Sequence, residues 1–372
     1  MKTAVISTSR KDQEKRVPIH PAQIKNIPSE IRHELYFETG YGIPFDMTDS
    51  EITSLTGNHP VSRNHLLSDF QSVIIAKPVE KDFEELSNVT TVWGWIHSVQ
   101  QNDVTQIAID KQLTFIAWEN MYYRNERGQV HIFQKNNEMA GYCGVQHALQ
   151  LQGIDGNFGP QRSAVILGFG SVSRGALNAL KGHGINNISV ISSRPSQLIA
   201  DQIPGIKYVQ MEKQIDGSCI IQKADGGRMP LIDELVNADI IVNGVMQDPD
   251  DPSIFIGQNE VCLFTKECLI IDISCDEKMG FSFAHPTDFS HPIKTIGNIH
   301  YYSVDNIPAL LWNSASWEIS NALLPFLSDY VQEKENSILA DATDIKSGIV
   351  LNQKILSYQK RSSSYPYCVS KI

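Results

Sequence analysis

The stretch SAVILGFGSVSRGALNALKGHG, residues 163–184, decides the fold of this chain. It starts as a short apolar run typical of a buried strand, passes through a glycine turn, and continues as a helical pattern. Gly168 permits the tight turn, and Gly170 lets the backbone approach a bound group closely. The helix that follows begins with Ser171 and Val172, and its start offers unpaired N–H groups and a positive dipole end to phosphates. A strand, a glycine turn and a helix in this order predict a dinucleotide-binding unit.

Apolar runs on both sides of this unit extend the prediction to a larger sheet. NISVISS (187–193) and IHYY (299–302) are predicted strands. ADIIVNGV (238–245) and CLIIDIS (268–274) are nearly continuous apolar runs, as expected for strands that are covered on both faces. Before the glycine turn, residues 1–134 alternate short β-branched or aromatic runs with polar helical stretches. That rhythm indicates a second unit with a parallel sheet.

The predicted fold class is therefore α/β, with two Rossmann-like lobes and a cleft between them. We expect a discontinuous first lobe, which carries the substrate and the catalytic groups, to comprise residues 1–134 plus 310–372. The dinucleotide-binding Rossmann lobe is expected to comprise residues 135–309. In the polar C-terminal stretch, the segment from Ile345 to Tyr358 is a helical candidate.

The end of the second strand indicates which nicotinamide cofactor binds. An NAD site usually places an Asp or Glu there to bind the ribose 2′-hydroxyl. Here the strand ends in Ser192, Ser193 and Arg194, so no carboxylate repels a 2′-phosphate and the arginine offers a charge-assisted fork to it. We therefore expect NADP(H), and NAD(H) is the alternative if these are ordinary loop residues.

Two further residues are candidate cofactor contacts in the same lobe. Asp276 follows a predicted parallel strand, at the edge where ligands bind in doubly wound sheets, and is expected to hold the nicotinamide ribose or the amine. Asn306 lies at the start of the last long helix and is expected to contact the cofactor across the lobes. A plain helix N-cap is the alternative for Asn306.

Composition excludes several classes of protein. The 372 residues carry 31 Lys and Arg against 42 Asp and Glu, a net charge of −11, whereas a nucleic-acid partner demands a cationic surface. The longest apolar runs fall far short of the roughly 20 residues that a bilayer span requires, and the N-terminal MKTAVISTSR lacks the core of a signal peptide. The six cysteines form no CxxC pair, which argues against a metal site. We expect a cytoplasmic protein.

Four short motifs in the first lobe give the chain a resemblance to a known family. Arg16 lies in EKRVPIHP, Lys77 in VIIAKPVE, His97 in WGWIHSVQ and Glu119 in IAWENMYY. Together with the glycine turn and VDNIPALLWNSASWEIS, they resemble the alanine dehydrogenase/transhydrogenase superfamily, which includes saccharopine dehydrogenase. Within it, the chain is most similar to the N5-(carboxyethyl)ornithine synthases. The resemblance covers residues 2–330, and the remaining C-terminal stretch has no counterpart that the motifs place.

The resemblance implies a reductive condensation that uses NADPH. A pyruvate-like 2-oxo acid would join the amino group of an ornithine- or lysine-like amino acid, and the imine would be reduced to a secondary amine. Arg16 would bind the oxo-acid carboxylate, because a guanidinium matches it bidentately. Lys77 and His97 would exchange protons, and Glu119 would pair with the amino group of the second substrate. The resemblance alone suggests a homo-oligomer.

Three alternatives remain from the sequence. An alanine dehydrogenase would use ammonia as the amine. A saccharopine dehydrogenase is disfavoured because Pro78 stands where that enzyme has an acidic residue, and because no arginine stands near Gln129 or Val130 for a dicarboxylic substrate. A non-catalytic NADP-binding sensor would not need Arg16, Lys77 and His97 together.

Overall fold

The computed structural model divides the chain into two compact α/β units. Unit 1 comprises Met1–Gln134 and Leu311–Ile372, and unit 2 comprises Lys135–Leu310. The residues that the structure describes are 1–126, 128–222, 226–248 and 250–369. Both main sheets are built largely from parallel strands, so the predicted fold class is confirmed.

The strands are, in chain order, β1 (Thr3–Val5), β2 (Leu35–Phe37), β3 (Ser72–Ile74), β4 (Thr91–Gly94), β5 (Thr114–Ala117), β6 (Tyr122–Asn125), β7 (Gly128–His131), β8 (Ser163–Leu167), β9 (Asn187–Ser192), β10 (Lys207–Lys213), β11 (Cys219–Gln222), β12 (Arg228–Pro230), β13 (Ile240–Asn243), β14 (Ile254–Ile256), β15 (Cys268–Asp272), β16 (Gly280–Phe281), β17 (Ile293–Ile296), β18 (Ile299–Tyr302), β19 (Thr343–Lys346) and β20 (Ile349–Val350).

The α-helices are α1 (Ser29–Arg32), α2 (Asp49–Thr56), α3 (Arg63–Asp69), α4 (Glu80–Glu84), α5 (Asn102–Asp110), α6 (Gln134–Leu151), α7 (Ser171–Gly182), α8 (Leu231–Leu235), α9 (Trp312–Val331), α10 (Ser337–Asp341) and α11 (Gln353–Tyr358). Short 3-10 helices cover Pro21–Asn26, Ile43–Phe45, Trp118–Asn120, Ser196–Leu198, Gln258–Leu263 and Ile307–Leu311. In the described part of the chain, no helix is both long enough and apolar enough to cross a membrane.

The main sheet of unit 1 has the strand order β2-β1-β3-β4-β5-β19-β20. Its first five strands are parallel, so the segments that follow them all leave at one edge. Alternate side chains of β4 enter different cores, because Trp93 packs with α9 on one face and Val92 packs on the other. A sheet that is covered on both faces holds this edge rigidly, and the edge carries the first group of candidate residues.

The C-terminal stretch corrects the predicted helix from Ile345 to Tyr358. Its first half is the hairpin β19–β20, in which Ile345 pairs with Val350, and β19 adds antiparallel to β5. The two turn residues, Ser347 and Gly348, have φ angles of 49° and 77°, the positive values that a tight type I′ hairpin turn requires. Only Gln353–Tyr358 is helical. The Ser-Gly pair between β-branched residues was the local signal for this hairpin.

The main sheet of unit 2 has the order β12-β11-β10-β9-β8-β13-β15-β18-β17. Strands β10, β9, β8, β13, β15 and β18 are parallel, whereas β11, β12 and β17 pair antiparallel at the margins. From β8 the chain proceeds outward through β9 and β10, and it then returns to add β13 on the other side. This reversal between β8 and β13 is the topological switch point at which doubly wound sheets bind ligands.

Two glycines allow helices α6 and α7 to approach each other closely. A Cβ at Gly141 would lie 1.8 Å from the carbonyl oxygen of Val172, and a Cβ at Gly175 would lie 1.8 Å from that of Glu138. No side chain could occupy either space without moving a backbone. The contact fixes α7, and therefore the glycine turn that precedes it, against α6.

Candidate functional site

Lys77 and His97 lie beyond the ends of two neighbouring strands, at the carboxyl edge of the unit 1 sheet. Each lies three residues beyond the end of its strand, β3 and β4 respectively, and these strands are parallel neighbours. Both residues adopt left-handed backbone angles, with φ of 45° and 52°. Such angles are uncommon outside glycine, and Lys77 also precedes Pro78, whose ring restricts it further. Two strained residues at neighbouring strand ends are typical of a functional site.

Gly94 brings the ends of β3 and β4 together. A Cβ at this position would lie 2.2 Å from the carbonyl oxygen of Ile75. Any larger residue would therefore separate the backbone leading to Lys77 from the strand leading to His97. Close packing next to the two candidate proton-transfer groups therefore explains the glycine in the GWIH motif.

The guanidinium of Arg16 is buried against a carboxylate that the sequence analysis did not single out. Its Nη2 lies 2.6 Å from Oε2 of Glu14, and its Nε donates to Oε1 of Glu14 at 2.8 Å. Its Cζ also lies 5.1 Å from the centre of the Trp95 ring, two residues before His97. The Glu14 side chain thus orients the guanidinium, and a substrate carboxylate would share Arg16 with it.

Glu119 lies just beyond β5 and is tied to the His97 segment. Its Oε1 accepts the backbone N–H of His97 at 2.5 Å, and its Oε2 accepts that of Ile96 at 3.2 Å. Burial raises the pKa of the Glu119 carboxyl to about 8, and the nearby Asp344 carboxylate adds to this. The structure therefore brings Lys77, His97 and Glu119 to one edge, with Glu119 contacting the backbone that carries the imidazole.

The glycine turn of unit 2 forms an open cradle at the start of α7. Gly168 has a φ of 81°, in the left-handed region, and Gly170 is the N-cap of the helix. A Cβ built at Gly170 meets no atom of the described residues within 4 Å, and within the same set no side chain caps the first helical turn. The space at Gly170, together with the first N–H groups of a helix, which lack acceptors within the helix, fits the pyrophosphate of a dinucleotide.

Ser173 stands where the dinucleotide motif has its third glycine. Its side chain is fully buried, and its hydroxyl donates to the carbonyl oxygen of Leu167 at 3.4 Å. A Cβ at Gly244 on the neighbouring strand end would lie 2.5 Å from this hydroxyl. The small serine is thus accommodated by a second glycine, so the substitution does not disrupt the helix–strand packing.

The three residues after β9 differ in what they can offer to a ligand. Ser192 is buried, and its hydroxyl accepts the backbone N–H of Arg194 at 3.2 Å, so this serine shapes the turn. Ser193 and Arg194 are exposed beside it. The next acidic residue in the chain is Asp201. A hydroxyl and a guanidinium are therefore the polar groups that this strand end presents.

Asp276 and Asn306 lie in loops beyond β15 and β18. Asp276 is partly buried, four residues past the end of its strand. Asn306 is buried and has a φ of 73°, another strained backbone, directly before the 3-10 helix Ile307–Leu311. Among the described residues, no cluster of three or more His, Cys, Asp or Glu side chains could hold a metal ion.

A buried carboxyl at Asp272 is the main group in unit 2 that the sequence analysis missed. It accepts hydrogen bonds from the Tyr301 hydroxyl at 2.8 Å, the Asn243 amide at 3.0 Å and the backbone N–H of Ser274 at 3.2 Å. Burial raises its pKa to about 7. These bonds join the ends of β13, β15 and β18, so they fix the loop that leads to Asp276. The signal was present as an acidic residue inside the apolar run CLIIDIS.

Two family models together match most of the chain. Residues 5–140 match "Alanine dehydrogenase/PNT, N-terminal domain", and residues 151–358 match "Alanine dehydrogenase/PNT, C-terminal domain". The second match includes α10, β19, β20 and part of the stretch for which the sequence motifs placed no counterpart. That view of the C-terminal stretch is therefore corrected as far as residue 358.

Two relatives illustrate alignments over nearly the whole chain. An N(5)-(carboxyethyl)ornithine synthase from Clostridium botulinum is 25% identical over 350 residues, which cover 88% of this chain and 96% of the relative. An alanine dehydrogenase from Mycobacterium tuberculosis is 20% identical over 367 residues, which cover 94% and 95%.

Solved structures support the same fold. An L-alanine dehydrogenase superposes with a TM-score of 0.71 at 16% identity and covers 96% of this chain and 99% of its own. A transhydrogenase from Sinorhizobium meliloti gives a TM-score of 0.69 at 15% identity and covers 94% and 99%. At such identities the likeness concerns the fold, and function has to be argued from the site.

Proposed function

The chain belongs to the alanine dehydrogenase/PNT family, and we propose that it catalyses a reductive condensation. Its homologues are NAD(P)-dependent oxidoreductases that act on the CH–NH groups of amino acids. A 2-oxo acid, the amino group of a second amino acid, NADPH and a proton give a secondary amine, NADP⁺ and water. The carbonyl oxygen leaves as water when the imine forms, and the imine carbon then accepts the hydride.

The position of Lys77 and His97 beyond the ends of neighbouring parallel strands is the observation that supports this proposal. Condensation needs protons moved at three stages: addition of the amine to the carbonyl, loss of water from the carbinolamine, and reduction of the imine. One side chain rarely serves all three, whereas an ammonium and an imidazole at neighbouring strand ends can alternate as acid and base. Both residues have left-handed backbone angles just beyond paired parallel strands, which limits their reorientation during the reaction.

Arg16 is proposed to bind the carboxylate of the 2-oxo acid. Its guanidinium is already oriented by Glu14 and lies against the face of Trp95, so little side-chain freedom is lost when a ligand binds. The Glu14 carboxylate also balances the buried positive charge while the site is empty of substrate. The role of Glu119 toward the amine stays a prediction, and both of its carboxyl oxygens also accept backbone N–H groups, from Ile96 and His97.

NADPH is proposed as the hydride donor. When bound, the cofactor supplies the hydride to the imine carbon. The open start of α7 would receive the pyrophosphate through the N–H groups of Ser171 and Val172, and Gly170 leaves room for it. Ser193 and Arg194 would bind the 2′-phosphate, because both are exposed and the strand end carries no acidic residue before Asp201. Asp276 and Asn306 are proposed to contact the nicotinamide half.

A matrix of substrates tests this proposal. Oxidation of NADPH and of NADH is followed with each of several 2-oxo acids, and each is combined with ammonia, ornithine, lysine or a neutral amino acid. We expect turnover with pyruvate and a basic amino acid, and faster turnover with NADPH. The name of the Clostridium botulinum relative supports the basic amine. Turnover with ammonia alone would instead identify an alanine dehydrogenase, to which the chain is also related.

A further inference from the structure

The C-terminal hairpin places a buried carboxylate, Asp344, beside the His97 segment. Asp344 lies in β19, which pairs with β5, the strand that ends just before Glu119. Only 2% of the residue is exposed. Its Oδ2 accepts the hydroxyl of Ser98 at 2.6 Å, and its Oδ1 accepts the side-chain amides of Asn120 at 2.8 Å and Asn352 at 2.9 Å.

Two of these three donors are direct chain neighbours of candidate residues. Ser98 follows His97, and Asn120 follows Glu119. Because Glu119 also accepts the backbone N–H of His97, the contacts close a ring that runs through both segments and returns through Asp344. The ring joins the ends of β4 and β5 by side chains, beyond the point where the strands pair by backbone hydrogen bonds.

We propose that Asp344 is a positioning residue that holds the His97 segment against Glu119. The inference rests on the proposed function, since it assigns a role to the C-terminal hairpin in the proton transfers of His97. The left-handed backbone at His97 is costly and persists only where its surroundings fix it from several sides. Asp344 holds the segment through the hydroxyl of Ser98, and Glu119 holds it through the backbone N–H of His97.

The acidic residue at position 344 indicates a role beyond the pairing of β19 with β5. An aspartate buried in a sheet loses its hydration, and a neutral residue would pair β19 with β5 at lower cost. The negative charge of Asp344 acts on Glu119, whose pKa it helps to raise. Burial raises the pKa of Asp344 itself, and the hydrogen bonds from Ser98, Asn352 and Asn120 act against this. The charge therefore reaches the group that contacts His97.

Among the described residues, His131 and Tyr122 are also titratable and lie near Glu119. The His131 ring lies 3.2 Å from the backbone carbonyl oxygen of Glu119, and burial lowers the pKa of that imidazole to about 4, so it stays neutral near pH 7. Tyr122 on β6 has a raised pKa, first through burial and then through the charge of Glu119. Neither group changes charge between about pH 6 and about pH 8, the range in which the effect of Glu119 ionisation on the His97 signal is followed.

The test follows the His97 ring by NMR in the ligand-free, full-length protein, which requires no turnover. The Cε1–H signal is assigned by its loss in His97→Gln, and it is titrated in the wild type and in Asp344→Asn. We expect the inflection that Glu119 imposes on this signal to move to lower pH in Asp344→Asn, because a neighbouring negative charge is removed. Glu119→Gln should abolish that inflection.

Asp341→Asn is the matched control, since Asp341 precedes the same strand but is half exposed and pairs with Arg124 at 3.1 Å. Its His97 titration should equal that of the wild type. Ser98→Ala removes one bond of the ring and leaves Asp344 itself intact, so it serves if Asp344→Asn does not fold. It should change the position and width of the His97 signal.

Kinetics separate a positioning role from general loss of structure. We expect kcat of Asp344→Asn to fall about tenfold or more while KM for the oxo acid and for NADPH stays within about twofold, because the substrate-binding groups are untouched. His97 titrations identical to wild type in both Asp344→Asn and Ser98→Ala would overturn the inference. If the wild type turns over no substrate in the matrix above, the proposed function fails, while the NMR result still decides the role of Asp344.

Discussion

At the scale of single residues, the proposed function rests on Lys77 and His97. Each holds a left-handed backbone at the end of a parallel strand, and Gly94 packs the two exits together. The sequence motifs pointed to both side chains, but their strain depends on how the chain leaves the sheet and could not be read from residue type. Glu14 was missed for a similar reason, because its pairing with Arg16 only becomes visible when both are buried.

Replacing Lys77 by methionine tests whether the chain is an enzyme with a lysine acid–base group. We expect kcat to fall by about 10²-fold or more, because general acid–base groups contribute factors of that order. NADPH binding, measured by fluorescence titration, should stay unchanged because Lys77 lies in unit 1. Lys81→Met, at an exposed position on α4, should retain full activity. Unaltered kcat in Lys77→Met would contradict the assigned role.

Replacing Arg194 by glutamine tests the preference for NADPH. The lost guanidinium should raise KM for NADPH about tenfold, since a charge-assisted bond to a phosphate is worth more than a neutral one. KM for NADH should not change, because NADH has no 2′-phosphate. The control is Arg228→Gln, an exposed arginine on β12 of the same unit. An equal rise for both cofactors would show that Arg194 acts on the fold of the loop instead.

At the scale of elements, the glycine turn depends on the close packing of α6 and α7. Gly141 is visible in the sequence, but the sequence could not show that α7 packs against it or that Gly175 makes the reciprocal contact with α6. Periodicity describes one helix at a time, whereas a helix–helix contact is a property of two. The same limit explains the C-terminal hairpin, whose strands form by pairing with β5 far back in the chain.

Gly141→Ala should destabilise the protein by about 1–3 kcal/mol or more, because its methyl group would overlap the carbonyl oxygen of Val172 and force the helices apart. Denaturant unfolding measures the loss. Gly182→Ala, at the end of α7, is the matched control, since a Cβ there meets no atom of the described residues within 4 Å. It should be neutral or stabilise by up to about 1 kcal/mol. Equal behaviour of the two variants would refute the packing argument.

At the scale of the whole molecule, buried carboxyls link stability to pH. Glu119 has a pKa raised from 4.5 to about 8, so between these values the folded protein keeps a proton that the unfolded chain has released. The free energy of unfolding therefore falls as the pH rises through this window, by at most about 1.4 kcal/mol per pH unit from this group. Asp272, with a pKa raised to about 7, acts in the same direction.

Glu119→Gln should flatten this dependence. Between about pH 6.5 and about pH 8, its free energy of unfolding should decline less than that of the wild type, because glutamine does not ionise. The window lies above the range in which His131 contributes, whose pKa is lowered to about 4 and whose effect has the opposite sign. Glu84→Gln, an exposed position on α4, should follow the wild type. A Glu119→Gln slope as steep as that of wild type would contradict the buried protonated carboxyl.

The central claim concerns the reaction, and isotope transfer tests it most directly. The protein is incubated with pyruvate, ammonium, ornithine or lysine, and NADPH that carries deuterium at the transferable position, and the product is analysed by mass spectrometry. The proposal predicts a secondary amine that contains both carbon skeletons, has lost one water, and carries one deuterium on the former carbonyl carbon. Deuterated alanine formed from ammonia, with no product that joins the two skeletons, would contradict it.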